Sequence, residues 1–384
     1  MKVLYYSVVL NSKHGGSNHA SQFVKYTTAH SDVKELLIFP KQSTKQSSSK
    51  VSKKAWIKRS SLFLIPRFYR RNRHLLSDLI SFIEEERPDV LIMRPDHNFL
   101  QLKRLKKLFP KMIFVAEINS SSFDESYSKI PFKAYFQRME RQTYSMCDLN
   151  YFVTMELRNQ VMQEKIDLSR DFVVYNGTEP YKFSSRRDDF NYRKEIGISD
   201  KSFVIGYMGT LDIHKKMLIL IEAFSILTSN RPDLILLIVG DGPDRESIEN
   251  QITKLGLNAR VIITGWVDYA TIENYLFAMD IAVHHHSNSY CCPLKIFDYM
   301  AAGLPTIAPD ISFIHEEFET NVHLVVTQPN VDSIYESILG FLDKPDWAKN
   351  VGYKGRDFVI NNFTWEKSAS QIIDRIVMKL NEKN

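Results

Sequence analysis

The residues whose types and spacing can bind an anion lie around a proline near residue 293. Pro293 suits the first turn of a helix, because the N–H that proline lacks would have no partner there. The free amides of Leu294 and Lys295 then point out of the helix, where the helix dipole adds partial positive charge. Asp298 lies one turn further on, on the face of Leu294, and can accept hydrogen bonds from two ligand hydroxyl groups. The pattern predicts an anion site beside a carboxylate; a surface helix with a Lys295–Asp298 contact is the alternative.

Two other strand-to-helix junctions carry candidate phosphate contacts. In Gly209-Thr-Leu-Asp-Ile-His-Lys-Lys-Met217, a lysine can neutralise a diphosphate as a point charge, although simple exposure to solvent is the alternative. Val239-Gly-Asp-Gly-Pro243 is a tight turn after the next strand. It lacks the Gly-x-Gly-x-x-Gly spacing, which argues against a dinucleotide oxidoreductase.

The histidine run at residues 284–286 has the composition of a metal cluster but not its geometry. Successive residues on a strand point to opposite faces, so three in a row cannot converge on one ion. We therefore predict no metal site.

Strands and helices alternate along the chain, which predicts α/β architecture with doubly wound parallel sheets. We expect an N-terminal domain over residues 1–180 and a C-terminal domain over 200–363, joined by the polar segment 178–200. A helix over 364–384 is expected to pack back on the first domain. The predicted strands are 2–10, 33–39, 89–93, 112–116, 149–153, 172–175, 203–208, 234–239, 261–264, 281–283, 306–308 and 322–326.

The composition predicts a folded globular protein. Its 384 residues are 44% hydrophobic and 25% charged, enough for two domains. No apolar run approaches the ~20 residues that cross a bilayer, and residues 1–10 indicate a buried strand and not a signal peptide. Cys147, Cys291 and Cys292 give neither a disulfide framework nor metal-ligand spacing. We therefore expect a cytoplasmic protein.

A basic stretch between residues 41 and 73 contains eleven Lys or Arg and no acidic residue, with apolar residues interleaved. Basic residues mixed with aromatic ones favour a surface of anionic lipid, at about 1 kcal/mol per basic residue. A solvated loop is the alternative, and nucleic acid is disfavoured because no nucleic-acid motif accompanies the stretch. The predicted membrane or acceptor contacts are Lys53, Lys54, Trp56, Lys58, Arg59, Arg67, Arg70 and Arg71.

The segment Pro-Leu-Lys-Ile-Phe-Asp-Tyr-Met-Ala-Ala-Gly-Leu-Pro, residues 293–305, resembles the donor-site helix of retaining GT-B glycosyltransferases like glycosyltransferase family 4 (glycosyl transferases group 1). The family carries Glu-x7-Glu here, followed by Met-Ala-x-Gly-x-Pro. Asp298 falls on the second glutamate, which holds the ribose of the sugar nucleotide. Tyr290 falls on the first, which contacts the donor sugar. The resemblance implies a GT-B fold, with two Rossmann-like parallel-sheet domains facing a cleft.

Other segments extend the resemblance. The segment from Gly209 resembles the family's Gly-Arg-Leu…Lys-Gly, so that Lys215, or Lys216 with a one-residue gap, takes the diphosphate-lysine position and Thr210 replaces the arginine. Residues 265–267 resemble the Gly-x-Val loop whose backbone holds the nucleobase, and the turn at 240–243 flanks the donor. The implied donor-binding residues are Gly16, Gly209, Thr210, Lys215, Lys216, Gly240, Gly242, Gly265, Trp266, Val267, Tyr290, Pro293, Leu294, Lys295 and Asp298.

In the first domain, Ala116-Glu-Ile-Asn119 stands in the place of a family His-Glu-x-Asn segment. Glu117 and Asn119 match, and Ala116 replaces a histidine often found near the reacting sugar. The loop at residues 15–16 is implied to close on the donor from the opposite domain. The implied catalytic residues are Lys215, Glu117 and Asn119.

The resemblance implies a retaining, hexosyltransferase-type enzyme that moves a sugar from a UDP or GDP sugar, with no cofactor. The acceptor would be a saccharide or a lipid-linked saccharide in surface polysaccharide or glycoconjugate synthesis, and the basic stretch suits a peripheral position at the inner face of the cell membrane. Two alternatives stay open. One is a catalytically silent GT-B scaffold or partner subunit, favoured by Thr210, Tyr290 and Ala116. The other is a GT-B epimerase, which acts on the sugar nucleotide itself and needs no acceptor.

Overall fold

The computed structural model describes residues 1–10, 15–40, 61–94, 102–120, 133–184 and 192–383, with side chains described from residue 73 onward in the helix that begins at residue 61. The chain divides into two compact units. The first contains Met1–Tyr175 and Ala369–Asn384, and the second contains Asn176–Ser368. The segment predicted as a connection from residue 178 is therefore built into the second unit.

The first unit is a parallel sheet with the order β2-β1-β3-β4-β5-β6. Except for the edge strand Glu35–Phe39, its strands are mostly buried and apolar, as expected where helices cover both faces of a sheet. Its strands are β1 Lys2–Tyr6, β2 Glu35–Phe39, β3 Val90–Met93, β4 Ile113–Ile118, β5 Leu149–Phe152 and β6 Asp171–Val173. Its helices are α1 Gly15–Thr28, α2 Ser61–Glu86, α3 Leu102–Leu108, α4 Lys133–Met146 and α5 Met155–Met162.

The second unit is a parallel sheet with the order β12-β11-β10-β7-β8-β9. Its strands are β7 Phe203–Met208, β8 Leu234–Val239, β9 Val261–Ile263, β10 Ile281–Val283, β11 Thr306–Pro309 and β12 Val325–Thr327. Its helices are α6 Tyr192–Glu195, α7 Met217–Thr228, α8 Arg245–Lys254, α9 Ile272–Ala278, α10 Leu294–Ala301, α11 Ser312–Glu317, α12 Val331–Asp343 and α13 Pro345–Asn362. The last helix, α14 Trp365–Lys383, begins in this unit and continues into the first.

The two ends of α14 pack in different units. Ile372, Ile373 and Ile376 are buried in the core of the first unit, together with side chains of β1 and β5. Trp365, at the start of the helix, donates its backbone N–H to the Thr178 carbonyl at 3.2 Å within the second unit.

Helix α13 packs against α10 and the residues that follow it through glycines. A Cβ added at Gly352 would lie 2.5 Å from the Gly303 carbonyl oxygen, and one at Gly355 would lie 2.5 Å from the His323 carbonyl oxygen. These two positions therefore need glycine, because the backbones approach too closely for a side chain.

Most predicted elements coincide with the observed ones, and several boundaries differ. β1 ends at Tyr6 and not at residue 10, because residues 8–10 form a turn. Helices α5, α6, α11 and α13 were not predicted. Helix α2 begins at Ser61, so Arg67, Arg70 and Arg71 fall on a helix, while Lys53, Lys54, Trp56, Lys58 and Arg59 lie outside the described residues. Over the described part of the chain, no helix is both long enough and apolar enough to span a bilayer.

Candidate functional site

The strand order of the second unit places a switch point between β7 and β10. The chain winds from β7 through β8 to β9 on one side, and then returns to begin β10 on the other side of β7. Adjacent loops that leave in opposite directions open a crevice at the carboxyl ends of the strands, where ligands bind in such sheets. The loop after β7 carries Gly209 and Lys215, and the segment after β10 leads to Lys295 on α10.

Lys295 lies over the end of β7. Its Nζ is 4.7 Å from the centre of the Tyr207 ring and 3.5 Å from the Tyr207 hydroxyl, to which it donates. Gly209, which follows β7, has a φ of +149°, and a Cβ built there would lie 2.4 Å from Lys295 Nζ. The ammonium group therefore occupies the space that a side chain at residue 209 would need.

Lys215 ends a short 3₁₀ turn, Ile213–Lys215, which Asp212 caps by accepting from the His214 amide at 2.9 Å. Burial and the charge of Lys215 lower the pKa of Lys295 well below its ordinary value, whereas the charge of Asp212 raises it. Neither lysine forms an ion pair with any carboxylate of the described residues. The switch point thus brings two lysines together, and within the described chain Asp212 acts on Lys295 through its charge without forming an ion pair with it.

Two of the three consecutive histidines are buried beside the same tyrosine. The rings of His284 and His285 lie 6.5 and 6.2 Å from that of Tyr207. His285 Nε2 donates to the Lys216 carbonyl at 3.1 Å, and within the described chain neither histidine's Nδ1 has a hydrogen-bond partner. Burial lowers the pKa of His285 to about 4 and lowers that of His284 well below its ordinary value, so both imidazoles are neutral at neutral pH.

The glycines after β7, β8 and β9 allow three loops to pack backbone against backbone. A Cβ at Gly240 would lie 2.0 Å from the Gly209 carbonyl oxygen, and one at Gly242 would lie 2.1 Å from that of Leu211. Gly240 also forms a backbone bridge with Gly265. These contacts explain why the loops carry glycine, and a direct contact of Gly240 and Gly242 with the donor stays a prediction.

The remaining residues predicted on these loops differ in exposure. Thr210 and Lys216 are exposed, Val267 is partly buried, and Trp266 is 52% exposed on the loop after β9. Lys216 has a left-handed backbone, with φ of +49°, and its carbonyl faces His285. The structure therefore favours Lys215 over Lys216 as the side chain at the switch point, since the charge of Lys215 acts on both Lys295 and His284.

Helix α10 begins as predicted, with one residue of difference. Pro293 is the N-cap and not the first helical residue, and its carbonyl accepts from the Ile296 amide at 3.2 Å. The amides of Leu294 and Lys295 precede that first hydrogen bond, so they lie among the helix's free donors. No side chain caps this end.

Asp298 is buried in the second unit, with 3% of its surface exposed. Its Oδ1 accepts from Thr178 Oγ1 at 3.0 Å and from the Tyr269 hydroxyl at 3.1 Å. Burial raises the pKa of Asp298 to about 7, and the two hydrogen bonds oppose part of that rise. The contact with Lys295 considered as an alternative is not among these hydrogen bonds, and use of Asp298 by a ribose stays a prediction.

Tyr290 is buried as well, and its hydroxyl accepts from Asn288 Nδ2 at 3.2 Å. The backbone just after it is held by Asn176, whose side-chain amide donates to the Cys292 carbonyl at 2.7 Å. The turn that leads into α10 is thus fixed by residue 176, at the start of the second unit.

The first unit has its own cluster of charged residues, around Glu117 at the end of β4. Glu117 is completely buried. Its Oε2 accepts from the Tyr5 hydroxyl at 2.8 Å, and its Oε1 accepts from Asn119 Nδ2 at 2.6 Å and lies 3.4 Å from both Arg94 Nη1 and His19 Nδ1. Tyr5 lies in β1, His19 lies in α1, and Arg94 directly follows β3. The switch point of this sheet lies between β1 and β3.

The catalytic role of Glu117 stays a prediction, but both of its carboxylate oxygens are engaged and the residue is completely buried, which suits a positioning role. Arg94 Nη1 also donates to the Gly16 carbonyl at 3.1 Å, which ties the start of α1 to β3 and β4. Asn119 is bound to Glu117 and shares that role. Burial lowers the pKa of His19 to about 4.

Several residues in these contacts were not among the predicted site residues, including Tyr207, Thr178, Tyr269 and Arg94. Thr178 and Asp298 are 120 residues apart, and no local pattern reports such a contact. Arg94 could have been found, since an arginine directly after a buried strand reaches the carboxyl edge of the sheet, as Glu117 does.

The described residues include one group with the spacing of metal ligands, formed by His30, Asp32 and Asp374 at the surface of the first unit. Residues 284–286 are not part of it. Exposed carboxylates often come together without an ion, and nothing else points to one at this group.

Comparison with solved structures defines the class of fold. The chain superimposes with a TM-score of 0.77 on Anabaena HepE, solved in complex with UDP and glucose, at 16% identity over 98% of this chain and 100% of that one. It superimposes with a TM-score of 0.79 on a sucrose-phosphate synthase from Thermosynechococcus elongatus, at 16% identity over the whole of both chains. The fold is that of GT-B glycosyltransferases, as predicted.

The sequence comparison finds a family model that matches part of the chain. Residues 188–358 match the family model of glycosyl transferases group 1, which confirms the resemblance found in the sequence. An uncharacterised glycosyltransferase of Methanocaldococcus jannaschii is 27% identical over 224 residues, 54% of this chain and 54% of that protein. A GDP-mannose-dependent monoacylated α-(1-6)-phosphatidylinositol monomannoside mannosyltransferase of Corynebacterium glutamicum is 28% identical over 180 residues, 45% and 47% of the two chains. This chain spans about half the length of the curated relatives it matches.

Proposed function

We propose that this protein is a retaining glycosyltransferase that moves a sugar from a nucleotide-diphosphate sugar to a saccharide or a lipid-linked acceptor. The observation that carries the proposal is the pair of lysines at the switch point of the second unit, which form no ion pair with a carboxylate of the described residues. A site that gathers positive charge beside a helix N-terminus suits the diphosphate of a sugar nucleotide.

In the proposed reaction, the bond from the sugar's anomeric carbon to the diphosphate breaks, and negative charge develops on the departing phosphate oxygen. Lys215 and the free amides of Leu294 and Lys295 would stabilise that charge. The acceptor hydroxyl would attack from the face that the diphosphate leaves and pass its proton to the departing phosphate oxygen, which retains the configuration without a protein nucleophile. The buried position of Asp298, with hydrogen bonds to Thr178 and Tyr269, fits a carboxylate that does not attack.

The names of similar proteins support a nucleotide-sugar donor but do not select the base. HepE was solved with UDP, and the Corynebacterium relative is named for GDP-mannose. We therefore propose UDP or GDP sugars as donors. The phosphatidylinositol acceptor in that relative's name, together with the basic stretch of this chain, supports a lipid-linked acceptor and a peripheral position at the inner face of the cell membrane.

The test is release of UDP or GDP from a panel of UDP and GDP sugars, with and without membrane extract. We expect Lys215→Ala to lower turnover about 100- to 1000-fold, the range for loss of one preorganised charge-stabilising group. The matched control is Lys254→Ala, an exposed lysine at the end of α8, which should keep the wild-type rate. Near-full turnover in Lys215→Ala would reject the role of Lys215, and the anomeric signal of the product in proton NMR tests retention.

A silent scaffold is a second candidate, favoured by the exposed Thr210 and by the buried Tyr290 and Ala116 at family positions that contact the donor. Calorimetry with the same sugar nucleotides separates the two functions, since a scaffold would bind none of them. An epimerase would instead convert the sugar nucleotide without any acceptor, which chromatography of the donor pool would detect.

A further inference from the structure

We infer that the side-chain ammonium of Lys295 is a second ligand for the donor diphosphate and acts together with Lys215. From the sequence, only the backbone amide of Lys295 was predicted to contact the donor. Thr210 replaces the family arginine, so one of the cationic contacts implied by the resemblance was missing. This inference rests on the proposed function, because it names the group that binds the diphosphate of that donor.

The position of the ammonium group is the first argument. Lys295 Nζ would lie 2.4 Å from a Cβ at Gly209, so it sits directly over the backbone that leaves β7. Lys215 comes from the same loop, six residues further on, while Lys295 comes from the segment after β10. The two cations therefore reach the switch point from its two sides, where a diphosphate would bind.

The partners of the ammonium group are the second argument. Lys295 contacts the face and the hydroxyl of Tyr207, and both are uncharged, since burial raises the pKa of Tyr207 above its ordinary value. A cation over an aromatic face is held in place without being neutralised. Asp212 acts on Lys295 through its charge but makes no ion pair with it, because Asp212 caps the 3₁₀ turn.

The neighbouring imidazoles are the third argument. His284 is almost fully buried, its Nδ1 has no hydrogen-bond partner in the described part of the chain, and the charges of Lys295 and Lys215 act on it. A buried polar atom without a partner is costly unless a ligand or water satisfies it. A phosphate oxygen can accept from a neutral imidazole N–H as well as from the two ammonium groups.

These arguments also explain how the site tolerates a threonine at residue 210. Thr210 is short, neutral and exposed, so it cannot supply the charge of the family arginine. Lys295 supplies one positive charge from α10 instead, and Gly209 leaves the space that its Nζ requires.

The test is calorimetric titration of the full chain with UDP and GDP and with uridine and guanosine, for the wild type and for Lys295→Met. We expect Lys295→Met to weaken the diphosphate about tenfold or more, the range for a charge-assisted contact, and to change nucleoside affinity by less than about twofold. Lys254→Met, an exposed lysine, is the control. Lys295→Gln, which keeps a polar end, replaces the methionine variant if that variant does not fold.

A proton-uptake measurement distinguishes phosphate binding from a packing role. A diphosphate near Lys295 favours its charged form, so the wild type should take up protons on binding UDP or GDP at alkaline pH, and Lys295→Met should take up fewer. Titrations in two buffers of different ionisation enthalpy give that number.

Unchanged diphosphate affinity in Lys295→Met, or equal losses for diphosphate and nucleoside, would overturn the inference while leaving the proposed function in place. If the wild type binds neither diphosphate, the proposed function fails first and the inference fails with it.

Discussion

Each unit has a switch point in its sheet, and the charged residues at the two points are paired in opposite ways. In the first unit, Glu117 is surrounded by Arg94, His19 and two neutral donors, so its charge is balanced within the protein. In the second unit, Lys215 and Lys295 form no ion pair with a carboxylate of the described residues. A buried network of paired hydrogen-bonding groups stabilises the fold. Lysines at the ends of strands that lack an ion-pair partner can instead bind an anionic ligand. We therefore expect the first cluster to stabilise the fold and propose that the second binds the donor.

The largest expected effect comes from removing the charge of Glu117, which tests whether the first cluster stabilises the fold. We expect Glu117→Gln to lower the free energy of unfolding by about 3–5 kcal/mol, because Arg94 then lacks its counter-charge in a buried setting. Denaturant unfolding measures the change. Glu35→Gln is the matched control, since its exposed carboxylate pairs with Lys2 at 3.2 Å and its loss should cost less than about 1 kcal/mol. Equal effects of the two variants would show that the Glu117 network does not stabilise the fold.

Substituting Gly209 tests the placement of Lys295 at the switch point of the second unit. Gly209→Ala places a Cβ 2.4 Å from Lys295 Nζ at a φ of +149°, so it should displace the ammonium group and cost about 1–3 kcal/mol of stability. Gly197→Ala is the control, because its φ is +75° and its Cβ would meet nothing within 4 Å. Both variants should lose stability in thermal unfolding, but only Gly209→Ala should also lose affinity for UDP or GDP. Wild-type affinity in Gly209→Ala would contradict the placement of Lys295.

Asp298 gives the smallest expected effect and tests whether burial without a cationic partner destabilises the second unit. Its folded-state pKa of about 7 lies above the ordinary carboxyl value of 3.8, so the folded state keeps a proton that the unfolded chain releases. Stability of the wild type should therefore fall as the pH rises from about 4 to about 7 and stay reduced above that. Asp298→Asn removes this dependence and still offers an oxygen to Thr178 and Tyr269.

We expect Asp298→Asn to match the wild type near pH 4 and to exceed it by about 1–3 kcal/mol at about pH 8, in denaturant unfolding at both pH values. Asp233→Asn should show the opposite sign, because Arg231 lowers the pKa of Asp233 and stabilises its charged form. A loss of stability in Asp298→Asn at alkaline pH would contradict the role of burial.

Much of the fold followed from the sequence, because buried parallel strands are short apolar runs with recognisable ends. Strands β7, β8 and β10 coincide with the predicted ranges, and α10 starts one residue from where proline chemistry places it. Helix α13 was missed for a physical reason. Its buried face consists largely of small residues, including Gly352 and Gly355, which indicate turns when they are read locally but here allow close backbone packing.

The chemistry of the site was less predictable than its location. The sequence located Lys295 and Asp298, but not that Lys295 extends over Gly209 or that Asp298 is bound by Thr178. Both facts depend on segments far apart in the chain, which periodicity and spacing do not relate. The matched residues Glu117 and Asn119 likewise indicated catalysis, while the contacts with Tyr5 and Arg94 that hold them are visible only after folding.

The path of α14 has a consequence for any attempt to study the two units separately. The chain leaves the first unit after Tyr175 and re-enters it at Ala369, so neither half is obtained with a single cut. A fragment ending anywhere between residues 176 and 368 would lack Ile372, Ile373 and Ile376, which complete the hydrophobic core beside β1 and β5. An independent first unit would need residue 175 spliced to residue 369 through a linker, with the second unit treated as an insertion.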